Sequence, residues 1–149
     1  MKLSNKGRYG VRALFDIAFH NDGRPTQIRA IAERQGIPPR FLEQIFARLR
    51  RAELVEGKRG PGGGYVLRRP PEAITLREVV EAVEGPLADR LLEGTADWPA
   101  SPHRPDFLWP ELARRMSSLL DGIAVADLCR EAARSGIARD LPAGLDYQI

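Results

Sequence analysis

The sequence holds a single cysteine, Cys129, in 149 residues. One thiol cannot close an internal disulfide, and alone it cannot complete a thiolate zinc or iron–sulfur site. A small buried hydrophobe on a helix is the expected role. Histidine is nearly as scarce: His20 and His103 lie in unrelated contexts, and no serine sits in a nucleophile-elbow pattern. With no constellation for catalysis, the chain is expected not to be an enzyme. Long apolar runs are missing too, none approaching the roughly 18–20 residues of a membrane span. The opening MKLSNKGRYG has no apolar signal core behind its charges, which points to a cytoplasmic protein. What is present is globular composition, 43% hydrophobic and 29% charged, in a length suited to one domain or a small domain with an appended element.

The net charge of +3 conceals an asymmetry. Residues 1–70 carry 15 Lys+Arg against 6 Asp+Glu, a balance of +9, whereas residues 71–149 carry 8 against 14, a balance of −6. A basic front half suits a polyanionic partner and leaves the acidic half to another task.

In the basic half, Val11, Leu14, Phe15 and Ala18 recur at helical spacing, predicting an amphipathic helix from about Asn5 to His20. The stretch NDGRP ends it. Thr26 is placed to cap a second, short helix with Ile28, Ile31 and Ala32 inward and Gly36 as its stop. Pro39 suits the first turn of a third helix, whose apolar stripe is Leu42, Ile45, Phe46 and Leu49. Its opposite face carries Arg40, Glu43, Gln44, Ala47, Arg48 and Arg51. Two helices joined by a short turn, the second basic on its outer face, are the pattern of a helix-turn-helix. A three-helix bundle with a solvated face shares the same periodicity.

The stretch KRGPGGGYVL, residues 58–67, holds four of the fourteen glycines. A Walker loop requires Gly-Lys followed by Ser or Thr and a helix; here Arg59 follows, and then a strand. The dinucleotide fingerprint fails because its last glycine falls on Tyr65. Leu54 and Val55 before the glycines, with Tyr65, Val66 and Leu67 after them, instead predict a hairpin with a long tip, the wing of a winged helix. There Gly60 allows close approach to a sugar-phosphate wall, Pro61 limits the entropy lost on ordering, and Lys58 and Arg59 can reach phosphates or a narrow minor groove.

Taken as a set, MKLSNKGRYGVRAL, AERQGIPPRFLEQIFARLRRAELV, RGPGGGYVL and ITLREVVEAVEG resemble the Rrf-type winged-helix regulators, the family of IscR, NsrR and CymR. The match covers about residues 1–85 and continues more loosely in FLWPELARRMSSLLDGIAVADL. The resemblance implies a homodimeric regulator of transcription, often a repressor, whose partner is double-stranded operator DNA. It places Glu43 and Gln44 on the recognition helix and Arg59 in the wing. Gln44 can pair with adenine edges, Arg40 and Arg48 with guanine edges or phosphates, and Glu43 can accept from cytosine while repelling misplaced phosphate. Position 40, a small hydroxyl residue in relatives, is Arg here.

In the acidic half, Thr75 and Glu78 form a capping-box pattern ahead of Leu76, Val79, Val80 and Val83, a further helix. Leu108, Leu112, Met116, Leu119, Leu120 and Ile123 then make a seam, interrupted near Asp121-Gly122, that a two-fold partner would bury or that packs back on its own domain. Cluster-bearing relatives draw three cysteines from the intervening loop, where this sequence has none. Arg8 and Arg12 stand in the first helix where some relatives supply another ligand, and a guanidinium cannot ligate a cation. His103, Asp106 and Cys129 remain as weak metal candidates. The expectation is a cluster-free regulator answering to an effector protein, a small ligand or Cys129 oxidation; an iron–sulfur cluster with unusual ligation is the alternative. A dimeric interaction module that has lost DNA binding is a further one.

The expected fold is mainly α with a small β-hairpin. It comprises a winged helix-turn-helix domain over 1–85, a sensor-region loop over 86–107, dimerisation helices over 108–135 and an irregular tail over 136–149.

Overall fold

A computed structural model describes residues 3–140 of the chain. Helix α1, Asn5–Phe19, starts where the Ser4 hydroxyl accepts from the Gly7 amide at 3.2 Å. The carboxylate of Glu84, distant in sequence, accepts from the same amide at 3.1 Å and from the Ser4 amide at 2.8 Å. A carboxylate at a helix N-terminus satisfies orphan amides and faces the positive end of the helix dipole.

Helix α2, Ile28–Gln35, and helix α3, Pro39–Arg51, follow with a three-residue turn between them. Gly36 sits at φ 64° and ψ 38°, the left-handed conformation that stops α2 as its composition predicts. Pro39 occupies the first turn of α3, where its missing amide costs nothing. The cap of α2 is Gln27, not Thr26. Thr26 is buried because its backbone is needed elsewhere: it pairs with Tyr65 in an isolated antiparallel bridge.

Strands β1, Val55–Lys58, and β2, Gly64–Leu67, pair antiparallel in the register Val55↔Leu67 to Lys58↔Gly64, leaving residues 59–63 as the tip. A short 3-10 turn, Pro71–Ala73, leads into α4, Leu76–Glu84, which begins with the complete Thr75/Glu78 capping box. The stretch 86–107, expected as a loop, contains a short helix α5, Leu87–Leu92. Then come α6, Leu108–Asp121, and α7, Val125–Arg134, broken apart at Gly122 as the sequence suggests.

Leu14, Ile31, Leu42, Ile45, Phe46 and Leu49 are fully enclosed, as their spacing predicts, and with Val79, Val83 and Val125 they belong to one core. Val125 of α7 is tied in by its amide, which donates to the Ile74 carbonyl at 2.9 Å, while the Leu76 amide donates to the Ile123 carbonyl at 2.9 Å. Helix α7 therefore packs back on the winged domain, burying Val125, Ala126 and Ala132.

Of the tail expected over 136–149, residues 141–149 lie outside the described residues. The part before them is docked. Arg139 Nε donates to the Phe19 carbonyl at 2.8 Å, and the Asp140 amide donates to His20 Nδ1 at 2.9 Å. Arg34 of α2 joins this end of the molecule by pairing with the buried Asp16 at 2.6 Å and with Asp140 at 3.1 Å.

Candidate nucleic-acid interface

The apolar stripe of α3 faces the core, so its opposite face is presented outward. Arg40, Glu43, Gln44, Ala47, Arg48 and Arg51 are all exposed. Arg40 lays its guanidinium over the ring of Phe41 at 4.9 Å. Glu43, Gln44 and Arg51 carry side chains with no partner among the described residues. Arg48 differs: its Nη1 donates to the Val83 carbonyl at 2.9 Å, a contact that holds α3 to the end of α4. Of the residues expected on this face, Arg48 is the one whose guanidinium makes a hydrogen bond within the described residues.

The wing projects from the same helix. Residues 57–62 are exposed, and the tip is closed by the Gly63 amide donating to the Gly60 carbonyl at 2.9 Å. Arg59 and Pro61 lie on this exposed tip; Arg59 has no partner among the described residues. Lys58 pairs with Glu56 at 3.2 Å, an exposed contact worth little and easily exchanged.

Two contacts that no local pattern announces fix the wing to the helices. The Tyr65 ring packs against Phe46 of α3 with centroids 4.5 Å apart. The Tyr65 backbone exchanges hydrogen bonds with Thr26 at 2.8 and 2.9 Å, extending the hairpin toward the start of α2. The Thr26 hydroxyl is satisfied by the Asn21 amide at 3.1 Å. This close approach requires glycine at 64: a Cβ there would lie 2.5 Å from the Thr26 carbonyl, and its φ is 145°.

A second surface feature lies away from the wing. An apolar cleft of about 760 Å³ runs between α1, α4, α5 and α6. Tyr9, Val11, Val80, Leu87 and Met116 line it, together with Leu119, which is 70% exposed. The seam residues divide: on α6, Leu108 and Leu119 are exposed while Leu112, Met116 and Leu120 are half-buried, as is Ile123 just beyond it. Arg8 lines the cleft, and Arg12 is turned to Gln35, donating to its carbonyl at the C-terminal end of α2.

A helix-turn-helix with an exposed polar second helix and a glycine-tipped ribbon defines a winged-helix transcriptional regulator that binds DNA. Comparison with known proteins narrows the class. Residues 3–131 match the Rrf2 family, described as iron-dependent transcriptional regulators, and the chain belongs to that family. The transcriptional regulator IscR of Aliivibrio salmonicida is 41% identical over 129 residues, spanning 86% of this chain and 77% of the relative. IscR of Yersinia enterocolitica is 40% identical over 129 residues, spanning 86% and 79%. Among solved structures, T. potens IscR matches with a TM-score of 0.72 and 35% identity over 93% of each chain. CymR, the global cysteine regulator of B. subtilis, matches with a TM-score of 0.72 and 30% identity over 88% of this chain and 98% of its own.

The donor set does not fit the iron of the family description. Iron–sulfur centres are held chiefly by thiolates, and the sequence has one cysteine. Cys129 is on α7, against Ala18, Phe19 and Arg139, and burial pushes its thiol pKa up, away from the thiolate a metal requires. Asp106 is paired with Arg104 at 2.8 Å, and His103 is exposed. Among the described residues no three His, Cys, Asp or Glu side chains come together as a metal site.

Proposed function

We propose that the protein is a homodimeric, operator-specific repressor in which α3 reads the major groove and the wing tip grips the flanking backbone or minor groove. The residues that carry this reading are Arg40, Glu43, Gln44 and Arg51 on α3, with Lys58, Arg59, Gly60 and Pro61 in the wing. The single observation behind it is the Tyr65 anchor: one side chain packs on the core of α3 while its backbone holds the ribbon, so base-reading and phosphate-gripping elements keep a fixed separation. Arg48 serves chiefly to brace α3.

The dimer is proposed to form along α6, with Leu119 and its neighbours entering the partner's cleft. A two-fold arrangement sets the two α3 helices on half-sites about one helical turn apart, or a multiple of it. Repression follows from occupying a promoter, and the proposed location is the cytoplasm; no helix among the described residues is long and apolar enough to cross a membrane. No catalytic role is proposed, since the relatives are named as regulators.

Titration against promoter fragments at several salt concentrations tests the reading. The expected result is a log-linear loss of affinity with salt, of slope about −0.9 per phosphate contacted, with certain fragments retained over bulk DNA. Absence of any salt-dependent affinity for the fragments, and of any preference among them, would mark an interaction module that has lost DNA binding.

A further inference from the structure

Arg40 is at odds with its place in the fold. It is the second residue of α3, at the end of the helix dipole that disfavours a cation, and the first turn of α3 holds no acidic residue to offset it. Its guanidinium is exposed and makes no hydrogen bond among the described residues. An aromatic face holds it instead. The guanidinium carbon lies 4.9 Å from the centre of the Phe41 ring. Phe41 is half-buried against the core, and the Tyr9 ring of α1 stands 6.2 Å from it at an interplanar angle of 35°. Behind Tyr9 comes Arg12, its guanidinium 5.8 Å from the Tyr9 centroid and its Nη2 donating to the Gln35 carbonyl at the end of α2. Arg40 is thus the free end of a series, Arg12, Tyr9, Phe41, Arg40, whose other end is tied to the backbone of the helix-turn-helix.

A ring attracts a guanidinium through its quadrupole and restrains a side chain that water would leave to sample many rotamers. A restrained arginine keeps its planar fork of donors in one place and loses less freedom when it binds. Phosphate contacts position a protein without reading sequence, whereas the fork matches the O6 and N7 acceptors of guanine. The N-terminal residues of a recognition helix are the ones that meet base edges. Gln44, four residues on, shares the outward face with Arg40 and is the neighbouring reader.

We propose that Phe41 is a positioning residue for operator recognition: backed by Tyr9, its ring aims the Arg40 guanidinium so that Arg40 selects guanine in the major groove. The assignment deepens the DNA-binding reading above and rests on it. Neither ring needs to touch DNA, so their contribution is to sequence preference more than to overall grip.

Selection from a random duplex pool with the parent protein is expected to yield a consensus with guanine at one symmetric position per half-site. Arg40→Ala should lose that guanine and keep the rest of the consensus. Competition anisotropy between the guanine duplex and one substituted at that position then gives a preference ratio. Phe41→Leu and Phe41→Met, which keep bulk but remove the ring, should each lower the ratio about five-fold, and Phe41→Tyr should keep it. Arg40→Lys, which keeps the charge and loses the fork, should lower it as well. Tyr9→Leu, with a sedimentation coefficient equal to the parent's, should lower it less than Phe41→Leu. A merely structural role for Phe41 would weaken all duplexes alike and leave the ratio unmoved; circular dichroism and urea midpoints identify the variants that fold. An unchanged ratio in a folded Phe41→Leu or Phe41→Met, or a guanine retained in Arg40→Ala, would overturn the proposal while DNA binding stands. A pool from which the parent enriches nothing would instead sink the DNA-binding reading, and this proposal with it.

Discussion

Lys58 and Arg59 are adjacent exposed cations with different freedom. Lys58 already has Glu56 as a neighbour, whereas Arg59 is free among the described residues. If Arg59 enters a groove, Arg59→Ala should weaken operator binding by about 1–3 kcal/mol at matched salt, measured by fluorescence anisotropy; unchanged affinity would remove Arg59 from the interface. His20 makes a different kind of prediction. Burial lowers its pKa from the ordinary 6.5, with Arg34 and Arg139 also opposing protonation and Asp16 and Asp140 favouring it. Its neutral Nδ1 is the acceptor for the Asp140 amide. The unfolded chain therefore takes up a proton first as pH falls, so stability should decline below pH 6.5 and level off beneath the folded pKa. Urea midpoints at pH 7.5 and 5.5 should differ less in His20→Gln, which loses the titration, than in the parent. The buried Asp16 carboxylate also receives Gln35 at 3.0 Å. Asp16→Ala strips both partners and should cost about 3–5 kcal/mol of stability by chemical denaturation.

At the scale of elements, features set by neighbours in sequence were legible. The α3 stripe, Pro39, Gly36 and the Thr75/Glu78 box follow from period and capping chemistry, and each holds. What local pattern leaves out involves distant partners. Thr26 has the composition of a cap, yet the wing claims its backbone. Arg48 has the spacing of a DNA-facing residue, yet the Val83 carbonyl claims its guanidinium. Glu84, which no sequence pattern singles out, caps α1 and accepts from Arg90. No local period encodes any of these, because each depends on which surfaces meet after folding. The exposed face of α3 and the wing tip were legible for the opposite reason: exposure is what remains when an amphipathic pattern has used its apolar side. Gly64 tests the wing–helix clamp. Gly64→Ala should cost about 1–3 kcal/mol of stability from the backbone conformation alone, and operator affinity should fall with it as the ribbon is pushed from Thr26. Equal denaturation midpoints would show that the ribbon yields without resistance.

For the whole molecule, the decisive surface is the cleft with Leu119 at its edge. Because Leu119 is 70% exposed, Leu119→Glu should leave the fold intact while converting a dimer to a monomer by sedimentation, with operator affinity at least ten-fold lower. A variant that stays dimeric would move the interface elsewhere. The described contacts also cut across a simple division at residue 85. Helix α1 is capped by Glu84 on its own side of that line, but Val125, from the other side, is in the core with residues of α1 and α3. On a ribosome the first helix would thus emerge long before the carboxylate that seats it and longer still before the valine that covers its neighbours. A truncated messenger, or a stalled nascent chain ending soon after the hairpin, should yield a product readily cut by protease; native resistance should arrive only once α7 has cleared the exit tunnel.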